Sequence, residues 1–147
     1  MKTNLLIIAT VLFSLFSCSS GNKNNTDPVS VSGSPEKDHV EVLYFHGKQR
    51  CITCNAIENL TREVLNENFA DELADGSLEF RVIDISEPQN EAIADKYEVT
   101  WASLFLNKWK DAEETTENMT DFGFSYAKSS PDVFKEGIKE NVANLLK

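Results

Sequence analysis

The stretch Val40-Glu-Val-Leu-Tyr-Phe-His46, followed by Gly47-Lys-Gln-Arg-Cys-Ile-Thr-Cys54, decides the fold of this chain. Residues 40–45 are apolar at every position but one, which is typical of a central strand covered on both faces. From Cys54 to about Phe69 the apolar residues recur at helical spacing. The sequence therefore predicts a buried strand, a short loop and a helix that begins at two cysteines.

The two cysteines take different positions on this predicted helix. Cys51 should lie at the helix N-terminus and Cys54 one turn inside. Unpaired backbone N–H groups and the positive end of the helix dipole stabilise a thiolate at that place, and Lys48 and Arg50 add positive charge beside Cys51. We therefore expect Cys51 to be the nucleophile and Cys54 the buried resolving thiol of a thiol–disulfide exchange.

Composition limits the classes of function. The chain has 147 residues, 41% hydrophobic and 26% charged, which suits one ordinary globular domain. A formal net charge of −10 argues against a nucleic-acid partner, because phosphates would be repelled. The three cysteines are too few for a disulfide framework, so they suit one functional pair and one special residue. We expect a monomer.

The first residues predict export and a membrane anchor. A basic start and an apolar run over residues 5–16 fit a secretory signal peptide, since the run is too short to span a bilayer. Leu15-Phe-Ser-Cys18 resembles a bacterial lipobox, which implies cleavage after residues 1–17 and lipidation of Cys18. The alternative is a plain signal peptide with an incidental cysteine. Residues 18–38 read as a flexible tether, and the lipid anchor would place the domain in the cell envelope, facing the periplasm.

The rest of the chain reads as further strands and helices of one domain, residues 39–147. We expect His39, at its boundary, to be solvent-exposed. The predicted elements are a strand over Leu78–Ile85, a short helix from Ser86, strands over Trp101–Leu106 and Glu113–Asn118, a helical insertion over Met119–Ala127 and a terminal helix from Ser130.

A buried strand, a loop, Cys-x-x-Cys and a helix resemble the thioredoxin-like superfamily, and the element order β-α-β-α-β-β-α extends this similarity from about Val40 to Leu146. The segment Asp95–Leu106 also resembles the family stretch of Lys-Tyr, an aliphatic residue and a following strand. The resemblance implies an α/β three-layer fold with a central mixed four-stranded sheet flanked by helices. It further implies that a loop of Trp101, Ala102 and Ser103 lies opposite the cysteines.

The sequence departs from the family pattern at two positions. Ser103 stands where the family has a cis-proline, and a non-proline cis bond costs about 2.5–4 kcal/mol, so we expect a trans bond or a rearranged loop. Phe45, six residues before Cys51, stands where thioredoxins proper carry a buried acid. A proton acceptor for the second cysteine is therefore missing or comes from elsewhere. His46 should point to the opposite face of the sheet from Phe45.

The resemblance implies a membrane-anchored thiol–disulfide oxidoreductase that needs no cofactor. Its partners would be protein thiols and disulfides of the cell envelope and an upstream thiol redox donor, with reduction, oxidation and isomerisation all open. One alternative is a soft-metal protein that holds copper or zinc through His46, Cys51 and Cys54. Others are a non-catalytic thioredoxin-like adaptor and a purely structural disulfide.

Overall fold

A computed structural model describes residues 38–147. The predicted signal peptide, Cys18 and the tether up to residue 37 lie outside the described residues. Among residues 38–147, no helix is both long enough and apolar enough to cross a membrane.

The centre of the domain is one mixed sheet of four strands in the order β2-β1-β3-β4. Strand β1 pairs in parallel with β2 and antiparallel with β3, and β3 pairs antiparallel with β4. The predicted central position of the first strand is confirmed. The strands are β1 (His39–His46), β2 (Leu78–Asp84), β3 (Ser103–Lys110) and β4 (Glu113–Asn118).

Helices cover both faces of this sheet, so the predicted α/β layered class is confirmed. The first helix ends at Asn68, and a second runs from Ala70 to Asp75 and is capped by Gly76, whose φ of 76° is the left-handed conformation that glycine adopts readily. The helices are α1 (Ile52–Asn68), α2 (Ala70–Asp75), α3 (Glu91–Lys96), α4 (Thr120–Tyr126) and α5 (Pro131–Leu145), with a 3-10 turn at Pro88–Asn90.

Alternate residues of β1 enter two separate hydrophobic cores. Val42 and Tyr44 face the larger core, which is closed by α1, α4 and α5. Leu43 and Phe45 face the smaller core, which is closed by α3 and the residues that follow it. All four side chains are fully buried, as expected for the middle strand of a three-layer fold. This packing fixes the end of β1, from which the cysteine loop departs.

The predicted bounds of the third strand, Trp101–Leu106, are wrong: β3 runs from Ser103 to Lys110. Trp101 lies in the preceding loop and is 55% exposed, so its apolar character does not mark a strand. The far end is longer because Asp111 and Ala112 both adopt positive φ, which makes a tight hairpin and lets Lys110 pair with Glu113.

The expected exposure of His39 is also wrong. His39 begins β1, and its side chain is only 13% exposed. Its ring stacks on Trp109 of β3, with centroids 6.3 Å apart, because the two residues are paired across the sheet.

Candidate redox site

The cysteine pair lies at the start of α1, which a short loop joins to the end of β1. Cys51 is the N-cap of α1 and is exposed, whereas Cys54 is 8% exposed and faces the core. A disulfide joins them, with a Cα–Cα distance of 5.0 Å, inside the usual range of about 4.4–6.8 Å. The backbone N–H of Cys54 donates to Cys51 Sγ at 3.0 Å. The predicted placement, one cysteine at the helix start and the other one turn inside, is thus the placement found.

An exposed apolar side chain flanks this disulfide. Ile52, directly after Cys51, is 73% exposed, the largest fraction among the big hydrophobic residues of the described chain. A protein segment that approached the sulfur of Cys51 would meet this side chain beside it.

Tyr44 contacts the backbone of the second cysteine, Cys54. Its ring is fully buried in the larger core, and its hydroxyl donates to the carbonyl oxygen of Cys54 at 2.8 Å. Burial raises the pKa of Tyr44 above its usual range, although the nearby guanidinium of Arg50 opposes the rise. The phenol therefore stays protonated and remains a hydrogen-bond donor at neutral pH.

Arg50 and Glu58 form an ion pair that joins the cysteine loop to α1. Glu58 also accepts from Arg62 Nη2 at 2.9 Å, and the guanidinium carbon of Arg50 lies 5.6 Å from the ring centre of Tyr44. Burial by itself raises the pKa of Glu58, but hydrogen bonds and charge from Arg62 and Arg50 outweigh it and lower the pKa below its usual value. The carboxylate is therefore ionised at neutral pH.

The two cations expected to assist Cys51 differ in their surroundings. Arg50 has its charge offset by Glu58, and its side chain is 25% exposed. Lys48 is exposed and takes part in no ion pair within residues 38–147. That either residue lowers the pKa of Cys51 stays a prediction. Sequence reasoning missed Glu58, whose four-residue spacing from both Cys54 and Arg62 was the available signal.

His46, as predicted, points away from the face that Phe45 occupies, since it follows Phe45 in β1 and its ring lies 6.2 Å from that of Tyr44. Its Nδ1 is 3.0 Å from the carbonyl oxygen of Gly47, a local bond at the start of the cysteine loop. His46 pairs in register with Asp84 of β2.

The alternative metal set of His46, Cys51 and Cys54 does not form a compact ligand group within the described part of the chain. The group that does is His39, Glu41 and Glu79, with ligand atoms within 4.8 Å of one another. The carboxylate of Glu41 is already engaged, because it accepts from Trp109 Nε1 at 2.8 Å and from Arg81 Nη1 at 3.4 Å. Neither group carries a metal-site argument.

The loop of Trp101, Ala102 and Ser103 lies at the same end of the sheet as the cysteine loop, because Ser103 pairs with Phe45 near the end of β1. The peptide bond before Ser103 is trans, as expected, since residues 38–147 contain no cis bond. Ser103 is buried, and its hydroxyl donates to the carbonyl oxygen of Trp101 at 3.1 Å. An open cleft of about 340 Å³ lies beside Trp101 and Ser103.

The fold and the site together define a class: an α/β protein with a mixed four-stranded sheet flanked by helices, consistent with a thioredoxin-like arrangement, and a Cys-x-x-Cys disulfide that fits a redox-active site. Comparison with known proteins adds little. No family model and no curated protein matches the chain. Among solved structures, one titled "Structure of a malarial protein" is 18% identical and covers 67% of this chain and 96% of its own, with a TM-score of 0.40. A likeness this weak carries no argument about function.

Proposed function

We propose that the protein is a membrane-tethered thioredoxin-like oxidoreductase that exchanges disulfides with exported proteins through Cys51 and Cys54. The observation that carries the proposal is the disulfide at the start of α1, with Cys51 exposed and Cys54 buried. An exposed sulfur can meet a protein substrate. A buried partner one turn away can resolve the mixed disulfide while it is itself protected from attack.

The exchange requires no group beyond the two thiols and the substrate. In the reducing direction, the Cys51 thiolate attacks one sulfur of a substrate disulfide, and the other substrate sulfur leaves as a thiolate that takes a proton. Cys54 then attacks the sulfur of Cys51, which releases the second substrate thiol and forms the Cys51–Cys54 disulfide. The substrate gains two electrons and two protons. The same steps in reverse oxidise a substrate dithiol, and an upstream thiol donor would restore the reduced pair.

The start of α1 supplies the activation that the reaction needs. The Cys54 N–H that donates to Cys51 Sγ in the disulfide form would donate to a Cys51 thiolate in the reduced form. Together with the positive end of the helix dipole, this bond favours the thiolate and so the attack. Lys48, as an exposed cation in the same loop, adds to the effect.

The cellular setting in this proposal comes from residues 1–38 alone. Cleavage before Cys18 and lipidation of that residue would hold the domain on a membrane, with residues 18–38 as the tether. The proposed partners are therefore protein thiols and disulfides of the cell envelope, in a compartment where disulfides form and persist.

Trapping of mixed disulfides tests the proposal. In Cys54→Ala the resolving thiol is absent, so substrates should remain covalently attached to Cys51. We expect adducts that disappear on treatment with a reducing agent, seen on non-reducing gels of cell-envelope extracts and identified by mass spectrometry. Cys51→Ala is the matched control and should trap nothing. No adducts with Cys54→Ala, or equal adducts with both variants, would contradict the assignment of roles and favour a structural disulfide.

A further inference from the structure

Glu58 ties together the two parts of the chain that carry the redox cysteines. It lies four residues after Cys54, so the two side chains share one face of α1. Its carboxylate pairs with Arg50, the residue directly before Cys51, and its side chain is 15% exposed. A charge so placed has more effect on its neighbours than one surrounded by water.

We propose that Glu58 is a positioning residue of the redox pair, whose carboxylate offsets the charge of Arg50 and so lowers the reduction potential of the Cys51–Cys54 disulfide. The inference rests on the proposed exchange activity, since it concerns the equilibrium between the disulfide and dithiol forms of the same two residues.

The sign follows from the charges in the two redox states. Reduction by glutathione breaks the Cys51–Cys54 bond, and two glutathione thiols supply two electrons and two protons and become glutathione disulfide. The disulfide is neutral, whereas the reduced Cys51 can release its proton and become a thiolate. A cation beside Cys51 therefore favours the reduced form, and an anion that neutralises this cation favours the disulfide. Arg50 and Glu58 should thus have opposite effects on the same equilibrium.

Glu58 acts as a fixed charge and not as a proton carrier. Its pKa is lowered because Arg62 and Arg50 together outweigh the effect of burial, so it stays ionised across the neutral range. The role therefore differs from that of the buried acid which the family resemblance implies at the position of Phe45. Glu58 supplies charge balance, and it holds the cysteine loop against α1 through Arg50.

Other charges near Arg50 are weaker competitors for this role. Hydrogen bonds from Ser86 lower the pKa of Asp84 at the end of β2, and the charges of His46 and Arg50 add to this shift, so Asp84 also senses the guanidinium. Asp84 forms no ion pair with Arg50, however, and its carboxylate accepts instead from the N–H and hydroxyl of Ser86. Glu58 is the carboxylate in direct contact.

The test measures the equilibrium of the purified protein with reduced and oxidised glutathione, in wild type and in two single variants. Glu58→Gln keeps the size and hydrogen-bonding capacity of the side chain but removes its charge, and we expect reduction to become easier by roughly threefold, the scale of one partly exposed ion pair. Arg50→Gln should make reduction harder by a similar factor. A tenfold change would correspond to about 30 mV for this two-electron couple.

The matched control is Glu63→Gln, which removes one carboxylate from the same helix. Glu63 pairs with Lys135 of α5 at 3.1 Å. We expect this variant to leave the equilibrium unchanged. Arg50→Lys is a second variant that keeps the charge but not the forked geometry, and its equilibrium should stay close to that of wild type. Thermal unfolding of each variant checks that the domain is folded.

The outcomes separate charge balance from simple loss of structure. If both Glu58→Gln and Arg50→Gln shift the equilibrium in the same direction, the pair acts only by holding the loop, and the inference is wrong. It is equally wrong if neither shifts more than Glu63→Gln, or if Arg50→Lys shifts as far as Arg50→Gln. A wild-type pair that does not equilibrate with glutathione at all would overturn the proposed function, and the inference with it.

Discussion

Two clusters centred on tyrosines lie on opposite faces of the sheet, and they differ in the group to which the tyrosine hydroxyl donates a hydrogen bond. The hydroxyl of Tyr44, in the larger core, donates to the backbone of Cys54, with Arg50 and Glu58 alongside. The hydroxyl of Tyr97, packed against the smaller core, donates to the carboxylate of Glu114. Similar groups thus hold the segment that carries the Cys51–Cys54 disulfide in one cluster, and the helix and strands of the scaffold in the other.

The Tyr97 cluster joins three elements of the scaffold. Tyr97 accepts a hydrogen bond from Asn107 Nδ2 at 2.7 Å, and Asn107, in the middle of β3, is fully buried. Lys96 completes the cluster with an ion pair to Glu114 of β4 at 2.7 Å. These bonds fasten the end of α3 to β3 and β4. Both tyrosines lie near a carboxylate, but Tyr44 binds the backbone of a cysteine, whereas half-buried Tyr97 binds Glu114 and Asn107 of the sheet.

The largest expected effect is that of Tyr97→Phe on stability. The substitution keeps the ring but removes the acceptor for Asn107 Nδ2, and a buried donor left without a partner costs about 1–3 kcal/mol. Urea denaturation should show this loss equally for the disulfide and dithiol forms, and the glutathione equilibrium should not change. A shift in the glutathione equilibrium would show that the Tyr97 cluster also affects the cysteine pair, so that the two clusters do not differ in this respect.

Tyr44→Phe should have a smaller effect, of about 1 kcal/mol, because the ring still fills the core and only one hydrogen bond is lost. Here we expect the two redox forms to differ. The disulfide restrains Cys54 in the oxidised form, so the reduced form should lose more stability when the bond to its carbonyl oxygen is removed. Denaturation curves recorded with and without a reducing agent measure the difference. Equal losses in both forms would show that Tyr44 is as purely structural as Tyr97.

The smallest expected effect concerns acid stability and Glu58. Its pKa is lowered in the folded protein, so its contribution is present above the unfolded value of about 4.3 and is lost as the pH falls through the folded value. Glu58→Gln should therefore reduce the loss of stability between neutral and acidic pH, by about 0.2–1 kcal/mol for an ion pair of this kind. Melting curves across this pH range, with Glu63→Gln as control, provide the measurement. If stability falls equally steeply with decreasing pH in wild type and in Glu58→Gln, the expectation is contradicted.

The pKa values of the two tyrosines shift in the opposite direction to that of Glu58. Burial is the main cause that raises the pKa of both Tyr44 and Tyr97, and hydrogen bonding to Glu114 adds to the shift of Tyr97. Their contributions are complete below the unfolded value of about 10 and are lost as the pH rises through the folded values. Acid thus weakens the Glu58 ion pair, whereas alkali weakens both tyrosine contacts.

Most of the fold could be predicted from the sequence because it follows from local periodicity. The nearly continuous apolar run of β1, whose side chains enter two cores, and the helical spacing after Cys54 each specify one element. The prediction fails at Trp101 because this apolar residue lies just before β3 and outside it. Its ring instead packs on Phe124 of α4, with centroids 5.1 Å apart, and a contact between such distant parts of the chain has no local signal.

The site could be predicted only in part, for a related reason. The cysteines, and their order along the helix, follow from the sequence spacing. The ion pair of Glu58 with Arg50 does not, because it requires Arg50 to fold back from the loop onto α1, a contact over eight residues that no helical period specifies. Asn107 is a similar case, since a polar residue in an apolar strand reveals neither its burial nor its partner.

The charges on the sheet edge formed by β4 affect how copies of this protein meet when they are close together. Backbone groups on the outer side of an edge strand can pair with a strand of another molecule, which is a common route to aggregation. The sequence of β4 is Glu-Glu-Thr-Thr-Glu-Asn, with Glu113 and Glu117 exposed. A second copy that approached this edge would bring the same charges against them, and their repulsion would keep neighbouring domains apart even where many copies share one small area.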